Sequence, residues 1–120
     1  MKKIDLEVNR TKSEMCREVS GIFEKYKSLM QTDDAKNYLQ AEEEFFNIMS
    51  SYFEKNIFPA PHPKITEEIE RDESGFQFFL KRHFGIKSPD AEKLNEMVKE
   101  IDTTKKPYAE KIKNLLKMEQ

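Results

Sequence analysis

The chain has 120 residues, a mass of 14.3 kDa and a formal net charge of -2, which allows one domain and excludes two ordinary domains with separate cores. Hydrophobic and charged residues each make up 37% of the chain, which places the excess of charge on a surface, and nine phenylalanines, four tyrosines and six methionines exclude a disordered chain. Three glycines and five prolines are too few for a β-sandwich or barrel, which turns about every 8 to 12 residues. The composition therefore predicts an all-α fold, a compact bundle of five to six short helices in a single domain over residues 1–120.

The first predicted helix follows an apolar stripe with spacings of three and four residues, which is typical of one buried helical face. The stripe consists of Met15, Val19, Ile22, Phe23, Tyr26, Leu29 and Met30. Residues 1–12 are left open, because Ile4, Leu6 and Val8 alternate as in a strand, whereas Ile4 and Val8 also fit the helical face. A single strand would have no partner, which favours helix or coil. Cys16 flanks the stripe and is predicted to be a small buried hydrophobe.

A second helix is predicted to begin after Thr32, a preferred N-cap residue, because Asp33 and Asp34 then lie at the positive end of the helix dipole. This second helix must end before Pro59, and the prolines from that position onward predict an extended connector at about residues 57–64. The broad apolar circumference of the second helix predicts that it lies at the centre of the bundle. We expect the buried face to contain Tyr38, Ala41, Phe45, Ile48, Met49 and Tyr52, broadened by Leu39, Phe46 and Phe53.

Two short helices are predicted next, a solvated one over residues 67–73 and an aromatic one over residues 76–84. Thr66 is the N-cap of the former, and Gly85 follows the latter in the position that glycine prefers after a helix.

The C-terminal part of the chain is predicted to form two helices. Ser88, Pro89 and Asp90 supply a cap, a proline at the first helical position and an acid, so they predict the start of a helix that continues to Ile101. The last helix is expected to contain Pro107 in its first turn, where an amide hydrogen would have no hydrogen-bond partner within the helix. Its apolar face would contain Tyr108, Ile112, Leu115 and Leu116, opposite a lysine-rich face.

The residue types needed for catalysis or metal binding are scarce. His62 lies between two prolines and His83 follows two basic residues, and neither has a glutamate three positions before it, as carboxylate-bridged metal sites in bundles require. The sequence contains no glycine-rich phosphate loop, zinc pattern or serine-nucleophile motif. We therefore expect neither an enzyme nor a cofactor or metal.

The compartment is predicted from what the sequence lacks. No apolar run approaches the roughly 20 residues of a membrane span, and Asp5 interrupts the N-terminus before a signal-peptide core. Cys16 is the only cysteine, which excludes an intrachain disulfide. These features predict a cytoplasmic protein.

Charge is distributed unevenly along the chain. Residues 33–73 contain eleven acids and four bases, a segment charge of -7, whereas both flanking segments are mildly basic. One interpretation is a solvated face that contributes little to stability. The other is that acidic and aromatic side chains bind a basic protein surface, as in a small adaptor, inhibitor or immunity-type regulator. The candidate partner-binding residues are Glu42, Glu43, Glu44, Phe46, Phe53, Glu67 and Glu68.

Two alternatives remain open at this point. A lysine-rich C-terminal helix is compatible with nucleic-acid binding, although the sequence pI of about 5.8 is low for that class. The residues concerned are Lys105, Lys106, Lys111, Lys113 and Lys117. A homodimer formed through the aromatic second helix is the other alternative.

Overall fold

The computed structural model describes residues 2–57 and 88–118, and these two ranges contain three α-helices and no strand. Helix α1 is Lys3–Lys27, α2 is Asp33–Glu54 and α3 is Ala91–Met118. The all-α prediction is confirmed for the described residues. Most of the predicted connector, both helices predicted between residues 67 and 84, and the residues His62, Glu67, Glu68 and His83 lie outside them.

Helices α1 and α2 form an antiparallel hairpin held by small polar side chains. The Ser13 hydroxyl donates to the Ser50 carbonyl oxygen at 2.8 Å, and the Ser50 hydroxyl donates to the Ser13 carbonyl oxygen at 2.9 Å. About two turns further along, Ser20 donates to the carbonyl oxygen of Glu43 at 3.2 Å. Serine side chains are short, so these reciprocal bonds hold the two backbones close together.

The predicted ends of α2 are confirmed. The hydroxyl of Thr32 accepts a hydrogen bond from the Ala35 amide at 3.3 Å, so Thr32 is the N-cap. After Glu54, Asn56 adopts a left-handed backbone with φ of 57°, and the Ile57 amide donates to the carbonyl oxygen of Tyr52 at 2.9 Å. This is the Schellman arrangement that commonly ends a helix.

Helix α3 packs antiparallel along α1. Glu100 accepts hydrogen bonds from Lys25 and Tyr26 of α1. Further along the two helices, Tyr108 of α3 is hydrogen-bonded to Glu18 of α1. Burial and the hydrogen bond to Glu100 raise the pKa of Tyr26 to about 12. Because α2 and α3 both run antiparallel to α1, they run parallel to each other, and the end of α2 and the start of α3 lie at opposite ends of the bundle.

A buried carboxylate connects the start of α3 to the turn between α1 and α2. Asp90 is 1% exposed, and it accepts hydrogen bonds from the Gln31 amide at 2.7 Å, the Thr32 amide at 3.0 Å and the Thr32 hydroxyl at 2.7 Å. Burial raises the pKa of Asp90, but these hydrogen bonds, together with the charge of Lys36, bring it below its ordinary value. The side chain predicted to serve the first turn of its own helix therefore anchors α2 instead.

The core is built from all three helices. Its buried members include Met15, Cys16, Val19, Phe23, Leu39, Phe46, Met49, Phe53, Leu94, Met97, Val98 and Ile101. Among the described helices α1 has the central position, because it packs against both α2 and α3. The expectation that α2 would be central is therefore wrong for this part of the chain.

The structure assigns the N-terminal stretch that the sequence left open, and it corrects one predicted helix boundary. The open N-terminal stretch is helical from Lys3, and Val8 is fully buried on the α1 face that the pattern had suggested. The two predicted C-terminal helices are one continuous helix with Pro107 inside it. The described residues therefore contain three helices, and the merging of two predicted helices into α3 lowers the expected count of five to six.

Candidate partner-binding surface

The aromatic residues proposed for partner binding lie in the core. Phe46 is 1% exposed and Phe53 is 0% exposed, so neither reaches a partner in the folded protein. The Phe46 ring packs on Phe23 of α1, with ring centroids 5.5 Å apart. Both residues are therefore structural, and their assignment to the surface is corrected.

The three consecutive glutamates of α2 have different surroundings. Glu43 faces α1, where its carboxylate accepts a hydrogen bond from Lys27 at 2.8 Å, and Glu42 is half-buried. Glu44 is exposed and accepts a hydrogen bond from the side chain of Gln40 at 2.7 Å. The predicted acidic patch is thus divided, because successive residues of a helix point about 100° apart. Of these three acids, Glu44 is the one that faces solvent.

A different row of side chains forms the outward face of α2. Phe45 is 40% exposed, Ile48 is 51% exposed and Tyr52 is 39% exposed. They belong to a row with alternating spacings of three and four residues, which we call the outer seam: Tyr38, Ala41, Phe45, Ile48, Tyr52 and Lys55. The first member, Tyr38, is half-buried and packs against the core, whereas the later members of the row are exposed to solvent.

The outer seam is held in place by the core behind it. The rings of Phe45 and Phe46 meet edge to face, with centroids 5.9 Å apart and an interplanar angle of 89°. This is a preferred aromatic geometry. Phe45 is therefore an exposed ring whose position is set by a buried neighbour.

The buried face of α2 agrees only in part with the face expected from the sequence. Tyr38 packs against the core as expected, whereas Ala41, Phe45, Ile48 and Tyr52 are exposed. The residues expected to broaden that face, Leu39, Phe46 and Phe53, are buried together with Met49, so the additional proposal of Phe46 and Phe53 as surface residues is wrong. Both rows have helical spacing, so periodicity alone does not separate them. The first turns of the helix hold the discriminating signal. The buried row is apolar there, with Ala35 and Leu39, whereas the side of the helix that carries the outer seam has the exposed polar residues Asp34 and Asn37 in its first turns.

The lysines proposed for nucleic-acid binding are also divided. Lys105 is only 6% exposed, and its ammonium lies 5.9 Å from the centroid of the Phe46 ring. Lys106 is exposed and pairs with Asp102 at 3.4 Å. The other three, Lys111, Lys113 and Lys117, are exposed on α3. The assignment of Lys105 to the surface is corrected, because its spacing from Ile101 and Tyr108 places it on the buried face of a continuous helix.

Two buried lysines flank the single cysteine, and sequence analysis did not identify either as a core residue. Lys12 is 1% exposed, and its ammonium lies 5.6 Å from the centroid of the Phe53 ring. Burial raises the pKa of Cys16 to about 12, although the charges of Lys105 and Lys12 act in the opposite direction. Cys16 is therefore a protonated thiol at neutral pH. The predicted burial of Cys16 is confirmed.

A groove of about 590 Å³ lies between the first half of α1 and the end of α2. Leu6 and Phe53 contribute its apolar lining. Its charged lining consists of three bases, Lys3, Arg10 and Arg17, and three acids, Glu7, Glu14 and Glu54. Arg17 pairs with Glu54 at 3.6 Å and Arg10 pairs with Glu7. The balanced charges give this groove no net attraction for an anion or a cation.

No family model, curated protein or solved structure matches the chain. Within residues 2–57 and 88–118, no helix combines the length and apolar character needed to cross a membrane. The same ranges contain no group of three or more histidine, cysteine or acidic side chains placed to hold a metal ion.

Proposed function

We propose that the protein acts by stoichiometric binding of another protein, as a small adaptor, inhibitor or regulator, and that the outer seam of α2 is its binding surface. The observation that carries this proposal is the exposure of three large apolar side chains, Phe45, Ile48 and Tyr52, in one row on a regular helix. Isolated exposed apolar residues are common on protein surfaces, whereas grouped ones are typical of interaction sites.

The chemistry of the outer seam supports this role. Burying the exposed part of one such side chain contributes roughly 1 kcal/mol, about half the value for complete burial. Aromatic side chains are frequent among the residues that dominate binding energy, and the contact with Phe46 already orients Phe45. A partner would therefore gain affinity without first having to order this ring.

Charge adds a steering effect to the apolar contact. Glu44 lies beside the outer seam and faces solvent, and α2 begins with two further exposed acids, Asp33 and Asp34. A partner with a basic rim around an apolar patch would be attracted to this side of the molecule, and its association rate would fall as salt is added.

The test compares partner capture by the wild-type chain and by the double variant Phe45→Ser/Ile48→Ser. Immobilised protein is incubated with lysate of the native host, with and without nuclease, and the bound proteins are quantified by mass spectrometry. The matched control is Leu6→Ser/Leu29→Ser, which removes two comparably exposed apolar side chains outside the outer seam.

We expect the wild type and the control to retain one nuclease-insensitive protein at near one-to-one stoichiometry. The seam variant should lose at least about tenfold in capture, because two contacts of roughly 1 kcal/mol each are removed. Equal capture by the seam variant would contradict the proposal. Loss of all bound material with nuclease would instead favour nucleic-acid binding through the exposed lysines of α3.

A further inference from the structure

We infer that the outer seam of α2 pairs with the outer seam of a second copy of this chain, in a symmetric dimer whose two α2 helices run antiparallel. This inference rests on the proposed function in the binding role of the outer seam, and it names a second copy of this chain as the occupant in place of a partner with a basic rim. Its supports are the spacing of the seam, its symmetry about Ile48 and the placement of two charges.

The spacing of the outer seam fits a helix as the occupant. Its members follow one another at intervals of three, four, three, four and three residues from Tyr38 to Lys55. Alternation of three and four is the pattern that packs one helix along another, with side chains inserted between those of the facing helix. Helix α2 itself presents such a row, so a second copy supplies a matching helix.

The order of side chains in the seam is nearly symmetric about Ile48. Phe45 lies three positions before Ile48 and Tyr52 lies four positions after it. With a two-fold axis beside Ile48, antiparallel packing places each Phe45 against Tyr52 of the partner subunit. A two-fold dimer requires one patch to complement itself in this way.

Charge favours the antiparallel direction. In this register Lys55 lies opposite Ala41 of the partner subunit, whose small side chain leaves room for the lysine stem. Glu44 of the partner subunit lies three residues further along, about 4.5 Å by the helical rise, which a lysine side chain spans. Parallel packing would instead place Lys55 against Lys55 and Glu44 against Glu44, and like charges in contact oppose association.

Both charged groups are available for this pairing. Lys55 and Glu44 are exposed, and no ion pair between described residues includes either of them. Glu44 accepts one hydrogen bond from the neutral Gln40 side chain, which leaves its second carboxylate oxygen for an ammonium group.

The dimer should be weak. A helix of 22 residues is about 33 Å long, and a contact along one helix lies at the small end of specific interfaces. Interfaces of this size class are typically transient, so we expect a dissociation constant on the order of 10 to 100 µM.

The test is sedimentation equilibrium of the full chain from about 2 to about 500 µM, a range that brackets this constant. We expect the average mass to rise from 14.3 kDa towards twice that value. Ile48→Glu should stay monomeric throughout the range. Lys99→Glu, which alters an exposed lysine of α3, should dimerise like the wild type and serves as the control.

Two charge reversals test the register. Glu44→Lys and Lys55→Glu should each weaken the dimer about three- to tenfold, because each replaces two attractions by two repulsions. The double variant should recover dimerisation to within about twofold of the wild type, since the pairs are then restored with opposite sign. Circular dichroism and urea unfolding confirm that every variant is folded.

Three results would overturn the inference: a monomer at every concentration, a dimer that tolerates Ile48→Glu, or a double variant as weak as the single reversals. Its failure is distinguishable from failure of the proposed function. A monomeric chain whose captured partner still depends on Phe45 and Ile48 would eliminate the second copy and retain the binding surface.

Discussion

Phe45 and Phe46 are adjacent in sequence and identical in type, yet one ring is 40% exposed and the other is 1% exposed. Their difference arises from a rotation of about 100° between successive helical positions. Phe46 packs among core residues of α1 and α2, whereas Phe45 contacts the Phe46 ring in a T-shaped arrangement and is exposed to solvent. At the scale of single residues, position on the helix decides between core and surface more than residue type does.

The buried lysines illustrate the same point for charge. Lys12 and Lys105 have apolar stems that pack in the core, and each ammonium lies within 6 Å of a phenylalanine ring centroid. A cation over an aromatic ring is attracted by the negative face of the ring, and the attraction is stronger where water is excluded. Two core positions are therefore occupied by residues that composition assigns to the surface.

Asp90 provides a pH-dependent test at the residue scale. Its pKa in the folded protein is below the ordinary value of 3.8, so its stabilising contribution is present above about pH 4 and is lost as pH falls through the folded pKa. Asp90→Asn removes the charge that strengthens three hydrogen bonds. We expect a free energy of unfolding lower by about 1 to 3 kcal/mol at pH 7.

Urea unfolding of the wild type and Asp90→Asn at pH 7 and at about pH 3 measures this effect. The difference between the two proteins should shrink at the lower pH, because the Asp90 carboxylate of the unfolded wild-type chain then binds a proton more readily than the folded one does. Glu110→Gln, at an exposed acid of α3, is the control and should change stability little at either pH. A difference for Asp90→Asn that is equal at both pH values would contradict the assigned role.

At the scale of elements, sequence analysis predicted α2 most accurately at its ends and least accurately at its faces. The cap at Thr32 and the end before Pro59 depend on local chemistry, which is visible in the sequence. The choice between two apolar faces depends on which one meets α1, and this is a tertiary property. Both faces satisfy the helical period, so the sequence predicted the helix correctly but did not separate the buried row from the exposed one.

Helix α3 was divided in the prediction for a different reason. Pro107 was expected in the first turn of a separate last helix, and Lys105 was assigned to the lysine-rich surface of that helix. In the structure the row continues in phase from Leu94 through Ile101 and Lys105 to Ile112. Pro107 is exposed, and so is Thr103, the residue four positions earlier whose carbonyl group a proline leaves without an amide partner.

Replacement of Pro107 tests whether α3 is continuous. A proline inside a helix removes one hydrogen bond and crowds the preceding turn, so Pro107→Ala should raise the free energy of unfolding by about 1 to 3 kcal/mol. A proline in a first turn is well tolerated, so two separate helices would give almost no gain.

Urea unfolding at pH 7 provides this measurement. Asn114→Ala, at an exposed position of the same helix, is the matched control for helix propensity alone and should give less than about 0.7 kcal/mol. An unchanged or lowered stability of Pro107→Ala would contradict the continuous helix.

At the scale of the whole molecule, α1 joins the other two described helices, and part of the acidic middle is neutralised across helix boundaries. Glu43 pairs with Lys27 of α1, and Glu54 pairs with Arg17 of α1. The interpretation of the acids as one continuous binding patch therefore does not fit these helices. The outer seam of α2 combines exposed apolar side chains with the charges of Glu44 and Lys55, and both proposals concern this surface.

The central claim is that Phe45 belongs to a surface and Phe46 to the core, and the free energies of unfolding of Phe45→Ala and Phe46→Ala test it most directly. Phe46→Ala should lower stability by about 3 to 5 kcal/mol, the usual cost of deleting a buried aromatic ring. Phe45→Ala should lower it by about 1 kcal/mol or less, because mainly an edge contact is lost. Equal losses of stability, or a larger loss for Phe45→Ala, would contradict the assignment of Phe45 to the surface and would indicate that the outer seam is buried.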